Sequence, residues 1–152
     1  MNKSGKDIKM LGKWLVTKGY ESILQIQKIL FFIRYEELKS KNTQDSYFKK
    51  DHNFQAWKYG PVSVELLHFL NPWFNKLDEA ENYIITDHDL IKEIDNKYLD
   101  YLKKYEDWSI DKLIDESHKN QSWINARKNY GIDDICKEYM EENENFLEFI
   151  RQ

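Results

Sequence analysis

The sequence predicts a mainly α fold: a compact multi-helix single domain around a buried central helix, with room for one short β-hairpin. Three observations predict it. Glycine and proline are scarce, five and two among 152 residues, which disfavours a turn-rich sandwich. Apolar residues recur at helical spacing behind capping residues. One segment is apolar on two sides, as expected of a helix buried among others.

The elements follow in order. Ser4 and Asp7 form a capping-box-like start; Ile8, Leu11, Trp14 and Leu15 give the first stripe, and Gly19 closes it. Ser22 with Gln25 opens the central helix. Ile23, Ile26, Leu30 and Ile33 make one stripe, and Leu24, Phe31, Tyr35 and Leu38 the other. Residues 39–45 read as a loop, and 47–57 have aromatics without clear periodicity. In FQAWKYGPV, Phe54 to Val62, an extended segment is expected to stop at Gly60 and turn into a helix with Pro61 as its first residue. Tyr59 and Val64 would staple its start, and Val62, Leu66, Phe69, Leu70 and Trp73 would form its stripe. Asn71-Pro72 breaks that run. Asn82 to Thr86 reads as a strand paired with the segment around Phe54 to Trp57. Thr86 with Asp89 caps a helix carrying Ile91, Ile94, Tyr98, Leu102 and Tyr105. Ser109 caps the next, with Ile110, Leu113 and Ile114, and Ser122 a shorter one beginning at Trp123. After Gly131, an acidic amphipathic helix is expected over 132–152, with Ile135, Tyr139, Phe146, Phe149 and Ile150.

Composition narrows the function classes. The chain is 41% hydrophobic and 15% aromatic, which favours folding over disorder. Its single cysteine, Cys136, permits no intrachain disulfide and no cysteine metal cluster, so a reducing, cytoplasmic setting fits. The apolar run Ile23 to Tyr35 is interrupted by Gln25, Gln27, Lys28 and Arg34, unlike a membrane span. The net charge of −4 divides into +6 over residues 1–60 and −10 over 61–152. Nonspecific nucleic-acid binding needs phosphate neutralisation, so an acidic chain argues against it, whereas the acidic second part would suit a basic protein partner.

Most recognisable chemistry is missing. There is no phosphate-cradling glycine-lysine loop, no dinucleotide glycine fingerprint, no HExxH and no nucleophile elbow. Asp115, Glu116 and His118 are the one acid/base candidate for a hydrolase or nuclease, with Asp115 and His118 on one helix face at i, i+3. A surface pair explains them equally well. No cofactor or metal site is read from the sequence. Trp57, Tyr59, Trp73, Trp108 and Trp123 serve either as core or as anchors for a protein partner.

Three segments together carry a resemblance. LQIQKILFFIR, Leu24 to Arg34, is similar to the opening helix of the Panacea-domain, or SocA-like, antitoxins, a family that includes the GepA-like phage-associated proteins. FQAWKYGPV resembles that family's hallmark, and SHKNQSWINAR, Ser117 to Arg127, resembles its Thr-His followed by Pro-Trp. The match runs over 22–128 of a single domain spanning 1–152. Phe31-Phe32 stand where Tyr-Phe is usual, Ser117 replaces threonine, and Ser122 replaces the proline before Trp123. The resemblance implies a mainly helical, non-enzymatic bacterial protein. It implies an antitoxin of a type II-like toxin–antitoxin pair that neutralises a toxin encoded nearby by direct binding. The SocA-like branch implies the alternative, an adaptor delivering its partner to the ClpXP protease. Trp57, Lys58, Tyr59, Gly60, Pro61, Val62, His118 and Trp123 are then the partner-binding or fold-building positions.

Overall fold

In the computed structural model, residues 5–70 and 83–150 are described. Six α-helices and one two-stranded hairpin lie among them. Helix α1 (Ile8–Thr17) is capped by Asp7, whose side chain accepts from the Met10 N–H; Ser4 lies outside the described residues. Its exit is a Schellman turn. Gly19, at φ +104°, donates to the Val16 carbonyl and Tyr20 to that of Leu15. Helix α2 (Ile23–Ser40) is capped by Ser22 through the Gln25 N–H. It packs against α1, α3 (Val64–Phe69), α4 (His88–Lys103), α5 (Ile110–Ser117), strand β2 (Gly60–Val62) and a 3-10 turn at Glu144–Leu147.

That central position explains why α2 is apolar on two sides. Ile26, Ile29, Leu30, Phe31 and Ile33 are fully buried. Phe31 and Phe32 join an aromatic cluster with Phe54, Tyr105, Trp108, Phe146 and Phe149, most pairs edge-on at centroid distances of 4.8–6.4 Å. Five polar residues of α2, Gln27, Lys28, Arg34, Glu36 and Glu37, are buried too, and each finds a partner. Arg34 binds Glu37 (2.8 Å) and Glu142 (2.6 Å) and donates to the carbonyls of Lys49 and Lys50. Glu37 also accepts from Ser46 and Tyr98, and Glu36 accepts from Tyr105 and Lys104. Buried charges persist only with such pairing, since a lone one is strongly disfavoured.

Several expected boundaries move. Pro61 does not start a helix: it is the middle residue of β2, and α3 begins at Val64 with Ser63 as N-cap. The staple between Tyr59 and Val64 fails with it, because Tyr59 sits in the turn before β2 and is 58% exposed. Gly60 and Pro61 instead belong to the hairpin's return strand. The partner of β1 (Gln55–Trp57) is therefore β2, and the described residues 83–86 form no strand. Asn71, Pro72, Trp73 and Asn82 lie outside the described residues. Asp87 rather than Thr86 caps α4, and Asn120 rather than Ser122 caps α6 (Gln121–Ala126). The Asn120 carboxamide reaches the Ser122 and Trp123 N–H groups, while the buried Ser122 hydroxyl donates to the Glu141 carbonyl. Ser109 caps α5 as expected, and Ile94, Tyr98 and Leu102 are the buried face of α4.

The largest correction concerns the C-terminal part. No acidic helix forms over the described residues 132–150; the chain runs as an extended strap interrupted by the 3-10 turn. Its backbone bonds go to distant elements: Ala56 donates to Glu138, Met140 to Phe54, Gln121 to Glu148 and Ile150 to Lys119. Cys136, Met140 and Phe146 are its buried residues, and Cys136 is a packed small side chain off any helix. The buried Glu142 carboxylate, bonded to Arg34 and Asn53, pins the strap to α2.

Candidate functional site

The hairpin stands at the meeting point of the three segments that carry the resemblance. Its register pairs Gln55 with Val62, Ala56 with Pro61 and Trp57 with Gly60, leaving Lys58 and Tyr59 as a two-residue turn. Gly60 takes φ +107°, a conformation glycine supplies at little cost. A Cβ there would also lie 2.6 Å from Ser117 Oγ and 2.9 Å from Lys28 Cε. The bare glycine is what lets β2 lie directly on α2 and the end of α5.

Side chains from two helices consume the backbone groups that the hairpin's own pairing leaves free. From α2, Gln27 grips Ser63 twice, donating to its carbonyl (2.9 Å) and accepting from its N–H (2.8 Å). Lys28 Nζ donates to the Pro61 carbonyl at 2.8 Å; proline has no N–H to leave unsatisfied. From α6 and its C-cap, Trp123 Nε1 donates to the Trp57 carbonyl (2.9 Å) and Arg127 to that of Ala56 (3.0 Å). The strap takes the outer side of β1 through Ala56 and Phe54. Buried backbone groups are costly when left alone, so these contacts fix the corner's geometry.

Lys28 is 0% exposed and forms no ion pair among the described residues. Burial alone pushes its pKa down to about 7, because the low-dielectric interior disfavours the ammonium form. His118, the C-cap of α5, stacks on Trp123 with ring centroids 4.4 Å apart. Its pKa is lowered, first by burial and also by the charge of Lys28, against an opposing hydrogen bond to the Lys58 backbone. Its Nε2 is buried without a hydrogen-bond partner.

The expected site residues therefore divide. Trp57, Gly60, Pro61, Val62, His118 and Trp123 are brought together and are bound into the corner. Lys58 and Tyr59 project from it. Lys58 Nζ meets Asp133 of the strap at 2.5 Å and lies 5.4 Å from the Tyr59 ring centre. A groove of about 440 Å³ runs between the hairpin and the start of α2, with Leu24, Trp57, Tyr59, Val62 and Leu67 on its walls and Lys28 in its lining. Its character is mostly apolar, suited to a partner's side chains more than to a charged small molecule.

Among the described residues Asp115, Glu116 and His118 share no hydrogen bond, although the charge of Asp115 acts on the imidazole, raising its pKa against the larger effect of burial. Asp115 is exposed, Glu116 pairs with Lys119 at 2.8 Å, and the imidazole lies against Trp123. Among the described residues, no group of three or more His, Cys, Asp and Glu is arranged to hold a metal ion. No described helix is long and apolar enough to cross a membrane. Gln27, Lys28, Ser63 and Arg127 were not singled out from sequence as parts of the corner. A signal existed: Gln27 and Lys28 are adjacent polar residues inside an apolar helix, and a helix buried all round forces such residues to find internal partners.

Compared with protein-family models, with curated proteins and with solved structures, the chain matches none.

Proposed function

We propose that this protein is an antitoxin that neutralises a toxin encoded beside it by direct binding through the hairpin corner. The observation that supports the reading most is the division just described. A hairpin whose backbone is held by α2, α6 and the strap presents two exposed turn residues, Lys58 and Tyr59, beside an apolar groove. Tyrosine at such a position offers large contact area at small entropic cost. The resemblance of the three converging segments to Panacea-domain antitoxins supplies the partner class. The reading places the protein in the bacterial cytoplasm and assigns it no catalysis, cofactor or metal.

The test is co-expression with the neighbouring small open reading frame in a heterologous host, scoring growth and tag pull-down. The neighbour alone should arrest growth, and this chain should restore growth and co-purify with it. The Lys58→Ala/Tyr59→Ala double variant should keep its circular dichroism and melting temperature but lose the complex. A folded double variant that still binds and rescues rules out the turn as the contact. Rescue without a complex, with faster loss of the neighbour only when ClpXP is present, replaces direct neutralisation with the adaptor reading.

A further inference from the structure

A second groove, of about 560 Å³, lies between α6 and the strap. Its lining carries two carboxylates, Glu138 and Glu141, both exposed and without an ion pair among the described residues. Two tyrosines stand with them. Tyr130 donates its hydroxyl to Glu138 at 2.8 Å, and Tyr139, 47% exposed, is braced by the His52 ring 5.5 Å away. Asn125, Asn129 and Asn145 add amide groups, and Lys128 is the one cation of the lining.

The surroundings reinforce this character. The strap over 132–150 holds seven Asp/Glu against one lysine. Only two of those seven, Asp133 and Glu142, have cationic partners among the described residues. Ile132 and Ile135, 79% and 83% exposed, precede the groove's first carboxylate. Isoleucine side chains this exposed on an acidic strap gain little from the fold itself, since burial is where apolar side chains stabilise.

We propose that this groove binds an arginine-bearing segment of a partner protein, with Glu138 and Glu141 pairing the guanidinium and Tyr130 and Tyr139 stacking on its plane. Charge complementarity selects a cationic occupant. The pairing of carboxylates with aromatic rings selects arginine over lysine, because a planar guanidinium both stacks and bonds carboxylates in a two-pronged fashion, whereas an ammonium is a hydrated point charge. Ile132 and Ile135 supply apolar contact to neighbours of that arginine. The groove shares no lining residue with the one beside Lys58 and Tyr59, although Asp133, between the two isoleucines, pairs with Lys58; the proposal does not depend on the identity of a toxin.

The experiment titrates the full-length protein into a fluorescent synthetic peptide of arginine flanked by leucines, followed by anisotropy at near-physiological salt. Copies of the peptide carry lysine or the neutral isostere citrulline in place of arginine. The arginine peptide should bind at least tenfold more tightly than the citrulline copy and several-fold more tightly than the lysine copy. Glu138→Gln/Glu141→Gln should weaken it about tenfold. Glu106→Gln/Asp107→Asn, which changes net charge equally on an exposed loop elsewhere, should stay within twofold, and Lys128→Ala should tighten binding. No binding at millimolar peptide, equal affinity for the lysine copy, or equal weakening by both double variants overturns the proposal; the last would show attraction to net charge alone.

Discussion

Replacing Lys28 with methionine tests the physics of the corner directly. Lys28 donates to the Pro61 carbonyl, and burial holds its pKa near 7 in the folded protein; free of the fold it titrates near 10.4. Between those values the unfolded chain carries a proton on this amine that the folded chain does not. Stability contributed by the site is therefore lowest below about pH 7 and rises with pH toward 10. Each pKa unit corresponds to 1.36 kcal/mol, so the full span is at most about 5 kcal/mol, with a slope near 1.4 kcal/mol per pH unit in mid-window. Methionine fills similar volume without a charge, and it leaves the Pro61 carbonyl unbonded at a cost of about 1–3 kcal/mol. The variant should thus be more stable than the wild type at pH 6 and less stable at pH 10, crossing in between. Urea unfolding of both proteins at half-unit intervals from pH 6 to 10 reads the difference. Titrations not coupled to Lys28, such as those of the buried tyrosines, cancel; that of His118, whose pKa the charge of Lys28 lowers, does not. A difference that stays constant across the range would show Lys28 charged in the folded state and refute the reasoning.

Further predictions concern the same framework. Gly60→Ala places a Cβ 2.6 Å from Ser117 Oγ at φ +107°, and should cost about 2 kcal/mol or more in chemical unfolding; a loss under about 0.5 kcal/mol would mean the corner yields easily. Glu142→Ala strips a carboxylate from the buried Arg34 and Asn53 and should cost about 3–5 kcal/mol, with the strap's amides losing hydrogen-exchange protection first. Unchanged protection would show that the strap is held elsewhere. Trp123→Phe removes the indole donor to the Trp57 carbonyl and should cost about 1–2 kcal/mol; retention of full stability would show that the Trp57 carbonyl is satisfied without it.

The sequence conveys the helices well because their signals are local. Ser22, Ser109 and Gly19 act where their neighbours say they should, and the stripe of α4 matches its buried face. The hairpin was legible as an extended segment, but its partner was not. Pro61 suits both a helix start and an edge strand; its pairing with Ala56 and the carbonyl contact from Lys28, 33 residues earlier, place it in the strand. The strap shows the same limit more strongly. Ile135 and Tyr139, at i, i+4 spacing in an acidic stretch, fit a helical pattern, yet the chain is extended there because its bonding partners are Phe54, Ala56 and Arg34. Periodicity reports a helix only where local geometry decides, and here distant hydrogen bonds decide. The candidate site was legible as three segments; their convergence depended on side chains of Gln27, Lys28 and Arg127, which no spacing rule links.

The anchoring of the hairpin by side chains has an evolutionary consequence. Gln27, Lys28, Trp123 and Arg127 hold main-chain carbonyls, which every amino acid supplies alike, and Gln27 also holds the N–H of Ser63, which only proline would lack. None of these hydrogen bonds depends on which side chains occupy positions 58 and 59. Those two positions can drift through many residue types while the corner keeps its shape, so, under the binding role proposed for them, a lineage can exchange one preference for another in single mutational steps without passing through an unfolded ancestor.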